Sequence, residues 1–300
     1  TATGIEVSGD TYLNIYDRTR GMVVNTKGDS QVSEFNYEHE SETDLIAGHI
    51  ATFESNNKSF PVLTFKLNEN LYLRDPQATQ LGQNMIQRSV ELIDQLGFEQ
   101  FTFKKLAVEI NSTEPSVYRY FENKHRLLHY LVAWYWNWLE YRLNMATTSI
   151  EDPTEKLLAS LRVITEEKKF DPAFEFMNEK ALHRIVINEL DKTYLTKWVD
   201  DDNQEGLFGG FKVLTRKISL LIKEIAPQYE FPSALASTIL LAANQQQFFI
   251  QHLPSLSDIN RQQQVVQQHT QLQRFVESIV FGAIHVKNVE IKSDSMAGEK

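Results

Sequence analysis

FTFKKLAVEINSTEPSVYRYFENKHRLL, residues 101–128, reads as two short helical segments on either side of a brief joint. Thr102 stands where a hydroxyl can cap the first segment, and Leu106 and Ile110, four apart, turn to one face of it. Pro115 falls in the first turn of the second segment, where a missing N–H costs nothing, with Thr113 as its expected cap. Val117 and Phe121 repeat the four-residue spacing on its inner side. Ala107 is small where the two segments must approach, and Asn111 occupies the joint, where asparagine is the best substitute for glycine in left-handed backbone. These are the proportions of a helix-turn-helix, whose second helix can enter the major groove of a duplex while the first braces it across the backbone. Glu114, Ser116, Arg119 and the hydroxyls of Tyr118 and Tyr120 are left to point outward.

Upstream, QNMIQRSVELIDQLGF (83–98) sets Met85, Ile86, Val90, Ile93 and Leu96 on one helical face that Gly97 can end. Downstream, a long helix is expected from about Lys124 to Met145, carrying Trp134, Trp136 and Trp138. Further helical periods cover 153–169, 173–190, 211–226, 232–253 and 261–285, punctuated by Pro153, Pro172, Pro227, Pro232 and Pro254. Residues 1–73 differ: short alternating runs (TYLNIYD, GMVVNTK, SEFNYEHE, HIATFE) are broken by Gly, Asp, Asn and Ser, the grammar of strands and turns. The fold class expected is therefore mainly α. A three-helix helix-turn-helix domain (74–123) precedes an all-helical domain (124–288); a small β-rich or partly disordered segment (1–73) comes before them and a polar tail (289–300) after.

The chain of 300 residues is 42% hydrophobic and 11% aromatic, a globular composition, yet its formal charge is −10. A polyanion partner thus requires locally concentrated positive charge. Before Asp75 there are 6 Lys/Arg against 11 Asp/Glu, so the N-terminal segment is a poor candidate for that contact; it reads as a β-rich arm or a ligand- or partner-binding module. Between Thr102 and Arg126, Lys104, Lys105, Arg119, Lys124 and Arg126 exceed Glu109, Glu114 and Glu122 by +2. The absence of cysteine excludes disulfides, thiolate nucleophiles and cysteine-held metals. No apolar run approaches the roughly 20 residues of a membrane span, so a cytoplasmic protein with no membrane partner is expected. The chain opens at Thr1 without methionine, as a processed or shortened N-terminus would.

The segment resembles the DNA-binding signature of the TetR family of bacterial transcription regulators over about 50 residues, 77–128, with SVYRYFENKHRLL its most discriminating part. It departs at the joint, where Asn111 and Ser112 replace the family's usual glycine and apolar residue. The resemblance implies phosphate contacts from Thr102, Tyr118 and Lys124, base-edge contacts from Thr113, Glu114, Ser116 and Arg119, and supporting positions at Lys104, Lys105 and Tyr120. Arginine grips guanine bidentately, which makes Arg119 the strongest candidate for direct readout. It further implies a homodimer on a near-palindromic operator in double-stranded DNA, formed by the last two helices through Leu240, Phe248, Leu272, Phe275 and Ile279. A small, often apolar effector would be enclosed by the middle helices and would shift the long linking helix, releasing what is expected to be a repressor. Trp134, Trp138, Tyr141, Phe174, Phe176, His183, Tyr194, Trp198 and Phe211 are the pocket candidates.

Two other classes of function compete. His125 and His129 share a helical face in a metal-like spacing, but no third ligand lies nearby. No phosphate loop, nucleophile motif or carboxylate pair stands out either, so no enzyme, metal or cofactor is expected. A helical interaction module with a degenerate head that no longer binds DNA is the alternative, favoured by the modest local charge.

Overall fold

A computed structural model describes residues 62–285 apart from Glu175, together with four N-terminal strands, and the chain is mainly α. Strands β1 (Thr3–Ser8), β2 (Tyr12–Asp17) and β3 (Met22–Lys27) form an antiparallel sheet in that order, with Ile5 opposite Ile15 and Ile15 opposite Val24. β4 (Ala51–Glu54) pairs antiparallel with β5 (Val62–Phe65), Ala51 opposite Phe65. The strands β2, β3 and β4 coincide with three of the four alternating runs; SEFNYEHE and the polar tail lie outside the described residues.

Helix α1 (Gln80–Leu96) starts at Thr79, whose hydroxyl accepts from the Gly82 N–H at 3.1 Å, and ends at Gly97 with φ 77°, a conformation glycine adopts without a Cβ penalty. Gly82 also has no room for a side chain, because a Cβ there would stand 2.2 Å from the Pro76 carbonyl oxygen. Met85, Ile86, Val90 and Ile93 are buried as the period requires; Leu96, expected with them, is exposed because it lies in the last turn, beyond the packing partners of that face. Then follow α2 (Phe103–Glu109), α3 (Glu114–Tyr118) and α4 (Lys124–Thr147).

Every residue of α4 from Leu127 to Glu140 is buried, so all three tryptophans are core. A helix apolar all round needs cover on every side. α5 (Pro153–Thr165), α6 (Glu179–Glu189) and α9 (Gly209–Ile225) supply it, and Lys217 of α9 pairs with the buried Glu140 carboxylate. The period over 173–190 does not run unbroken: a single 3-10 turn at Pro172–Phe174 precedes α6, which begins only where the Asn178 side chain can accept from the Ala181 N–H. Two short helices, α7 (Asp191–Tyr194) and α8 (Val199–Gln204), fall in a stretch whose sequence carries no apolar period. α10 (Pro232–His252) and α11 (Val265–His285) pack on each other and on α5. Among the described residues no helix is long and apolar enough to cross a membrane.

Candidate nucleic-acid interface

The unit α1–α3 is built as its sequence dictates. Thr102 caps α2 by accepting from the Lys105 N–H at 3.2 Å. The chain then leaves α2 with Ile110 N–H on Leu106 O at 3.0 Å, Asn111 N–H on Val108 O at 3.1 Å and Ser112 N–H on Ala107 O at 2.8 Å. Closing a helix this way requires a left-handed residue. Asn111, at φ 50°, supplies it and is the one non-glycine residue at positive φ among the described residues. Leu106, Ala107, Val117 and Phe121 close the inner face, so the two helices are held against each other by a dry contact.

What remains outside is the polar side. Thr102, Lys104, Lys105, Thr113, Tyr118 and Arg119 are exposed, and Glu114 and Ser116 are half-buried. Tyr118 is 47% exposed and leans edge-on against Phe103 at 5.0 Å, which fixes the ring while leaving the hydroxyl end open. Thr113 makes no cap; its hydroxyl pairs with the Ser116 hydroxyl at 2.9 Å, pre-setting two short side chains on one edge of α3.

Two expected contacts are placed otherwise. Tyr120 is only 3% exposed, with its hydroxyl on Thr79 Oγ1 at 2.8 Å and the Arg74 guanidinium 5.3 Å above its ring. It lies past the end of α3, where the chain turns inward, and so ties α1 to α3 instead of facing a groove. Lys124 lies 4.7 Å over the Phe98 ring and donates to the carbonyls of Phe98, Glu99 and Phe101 at 3.1, 3.3 and 3.5 Å. Its ammonium thereby staples the α1–α2 loop to the start of α4.

Contacts remote in sequence join this unit to the body. Arg184 of α6 grips Asp94 of α1 at 2.8 and 2.6 Å, and Glu189 accepts the Phe98 N–H at 3.1 Å. At the start of α4, Arg126 reaches Glu205 at 2.7 Å and Asp202 at 3.4 Å. His129 Nε2 is 3.6 Å from Asp202, but burial first, and then the Arg126 and His125 charges, push its pKa down to about 4, so the imidazole is uncharged near pH 7 and the contact is not an ion pair. No group of three or more metal-capable side chains occurs among the described residues. No local signal marks Asp202 or Glu205, because the partner is 76 or 79 residues away.

The pocket candidates do not line one cavity. Trp134, Phe174, Phe176 and the half-buried Tyr141 form a closed aromatic cluster, while Trp138 is buried beside Tyr135 with Arg142 over its ring at 5.5 Å. His183 stacks on Tyr135 and is held between the Tyr135 hydroxyl at 2.7 Å and Gln247 at 2.9 Å; burial pushes its pKa down to about 3. Tyr194 donates to Asp191, and Trp198 is 58% exposed, because α7 and α8 run along the surface. Phe211 borders an open recess of about 550 Å³ with Thr215, Arg216 and Ser237. Of the dimerisation candidates, Leu240 and Leu272 are buried within the chain itself: α11 places Leu272, Val276, Val280 and Ile284 in the intramolecular core. Phe275, 40% exposed, and the half-buried Phe248 lie outside that core, whereas the half-buried Ile279 packs against it.

Residues 86–131 match the family model of bacterial regulatory proteins, tetR family. Among solved structures, a TetR-family transcriptional regulator from Syntrophomonas wolfei str. Goettingen is similar with a TM-score of 0.51 and 14% identity, over 68% of this chain and 97% of that one. The fatty acid degradation regulator FadR from Bacillus halodurans aligns over 69% of this chain and 98% of its own, at 13% identity and a TM-score of 0.49. A search of curated protein sequences finds no match.

Proposed function

We propose that this chain, whose residues 86–131 match the tetR family model, is a regulator of that type that represses transcription as a homodimer on a near-palindromic operator and is released by a small-molecule effector. The coarser part, a DNA-binding transcriptional regulator, follows from the family itself. The observation that carries the finer reading is the open polar edge of α3, where Thr113, Tyr118 and Arg119 stand in solvent above a dry inner face. In this reading Tyr118, Thr102, Lys104 and Lys105 fix the register on phosphates, and Arg119, Thr113, Glu114 and Ser116 read bases. Phe275 and Phe248, with the partly buried Ile279, would supply the apolar contact for a second copy; a two-fold axis there would put the two α3 helices about 34–36 Å apart, one DNA turn. Lys124 acts indirectly, by stapling the loop before α2.

Selection of bound fragments from a genomic pool tests the reading. Retention should fall steeply with salt, since phosphate contacts release counterions. Arg119→Ala should lose about 1–3 kcal/mol on the selected site, with specificity relaxed at one base pair. A pool that yields no salt-sensitive retention would reject it in favour of a helical interaction module, which the small positive excess of the head also suits.

A further inference from the structure

The end of the N-terminal extension does not stop at the surface of the helical body. Phe65, in the last position of β5, is 5% exposed and stacks on Phe174 with ring centres 4.9 Å apart and planes 27° from parallel. It meets Trp134 edge-on at 5.3 Å and Tyr141 at 6.3 Å. The aromatic box made by α4 and the turn before α6 is therefore filled by one ring delivered from outside both. Besides the pairing of β5 with β4, the backbone of that residue is held by a side chain: Gln77 accepts the Phe65 N–H at 3.2 Å and donates to the Phe65 carbonyl at 2.7 Å. In the wall of the box, the indole N–H of fully buried Trp134 has no hydrogen-bond partner. A buried donor left unpaired is costly, and a hydrocarbon ring cannot satisfy it.

The segment after Phe65 touches the parts that orient the DNA-binding unit. Asn68 and Asn70 donate to the Glu205 carbonyl at 2.8 and 3.0 Å, on the same turn whose Asp202 and Glu205 carboxylates hold Arg126 at the start of α4. Leu73 N–H donates to the Tyr120 carbonyl at 2.8 Å. Gln77, which holds Phe65, is itself tied to α1 through Gln83 at 2.8 Å. One short stretch thus links the box, the α4 brace and the head.

We propose that Phe65 is a tethered ligand: it occupies the effector site of this regulator, and a small aromatic molecule bearing a hydrogen-bond acceptor for Trp134 takes its place when β5 withdraws. This rests on the effector-released reading above and names both the site and the ligand class. Withdrawal also removes the Asn68 and Asn70 contacts from the 202–205 turn, which connects binding to the start of α4.

The probe is p-cresol, a ring of phenylalanine shape with an oxygen added, and the readout is tryptic cleavage after Lys66, an exposed residue next to Phe65. In the full chain p-cresol should speed cleavage at Lys66 and leave other sites unchanged. Gln77→Ala, which removes both bonds on the Phe65 backbone, should bring the effect to roughly tenfold lower probe concentration, because less of the ligand's affinity is spent on opening. Phe65→Ala should melt cooperatively and gain melting temperature with p-cresol more than the parent does. Cleavage at Lys66 that p-cresol leaves unchanged in both the parent and Gln77→Ala, or acceleration at every site alike, would overturn the proposal. None of these readouts uses DNA, so a failure of DNA binding would leave them standing and would reject only the reading of the head.

Discussion

Replacing Tyr120 by phenylalanine separates an internal tie from a DNA contact. The change removes one hydroxyl, 2.8 Å from Thr79 Oγ1, and leaves the buried ring and the Arg74 guanidinium above it in place. Thr79 keeps its second role, accepting from the Gly82 N–H, so α1 remains capped. The loss is then one net hydrogen bond in a partly buried setting, about 0.5–1.5 kcal/mol. For a body of this size that corresponds to roughly 2–4 °C in melting temperature per kcal/mol. Affinity for a selected DNA site should change by less than about twofold, since the hydroxyl never faces the duplex. Tyr118→Phe should do the reverse. Its hydroxyl end is exposed, so stability should stay within about 0.5 kcal/mol, while loss of a phosphate contact should cost about 1–2 kcal/mol of binding. Urea unfolding and fluorescence anisotropy on the same preparations read both quantities. A Tyr120→Phe protein with an unchanged urea midpoint and tenfold weaker DNA binding would refute the assignment.

The other expectations are shorter. Asn111→Gly should leave stability unchanged or slightly raised, whereas Asn111→Val should cost about 1–2 kcal/mol in urea melts, because φ 50° sets a β-branched side chain against its own backbone. The His183 imidazole is held down to about 3, below its unfolded value near 6.5, so the unfolded chain takes the proton first. Its contribution is fully present above about pH 6.5 and is lost as pH falls towards 3, by up to about 1.4 kcal/mol per pH unit. The urea midpoint of His183→Gln should accordingly fall less steeply with acid than that of the parent, and parallel curves would exclude this origin. Phe275→Asp should give a monomer by light scattering at micromolar concentration with the melt still cooperative, because Phe275 is 40% exposed and lies outside the inward row of α11.

The helix-turn-helix could be read from the chain because its determinants are local. Thr102, Pro115 and Asn111 act within four residues of themselves, and the Leu106–Ile110 and Val117–Phe121 spacings mark an inner face before any partner is known. Tyr120 and Lys124 resisted that reading for the opposite reason. What decided their direction was Thr79, 41 residues distant from Tyr120, and the carbonyls of the 98–101 loop. The aromatic candidates could not be sorted from the sequence, because aromatic residues at helical spacing say only that a face is apolar, not which of the surrounding rings will fill the space between them.

Composition, helical period and the 101–128 stretch were thus sufficient to determine a mainly α chain with a capped, left-handed joint and a solvent-facing Arg119, since caps, turns and amphipathic faces are set by neighbours along the backbone. Only the tertiary structure decided that α4 is buried all round, that Arg126 is held by the 202–205 turn, and that Phe65 fills the aromatic box of Trp134, Tyr141 and Phe174. Those outcomes depend on contacts between residues scores of positions apart, and burial between such residues is paid out by packing geometry, which no local pattern encodes.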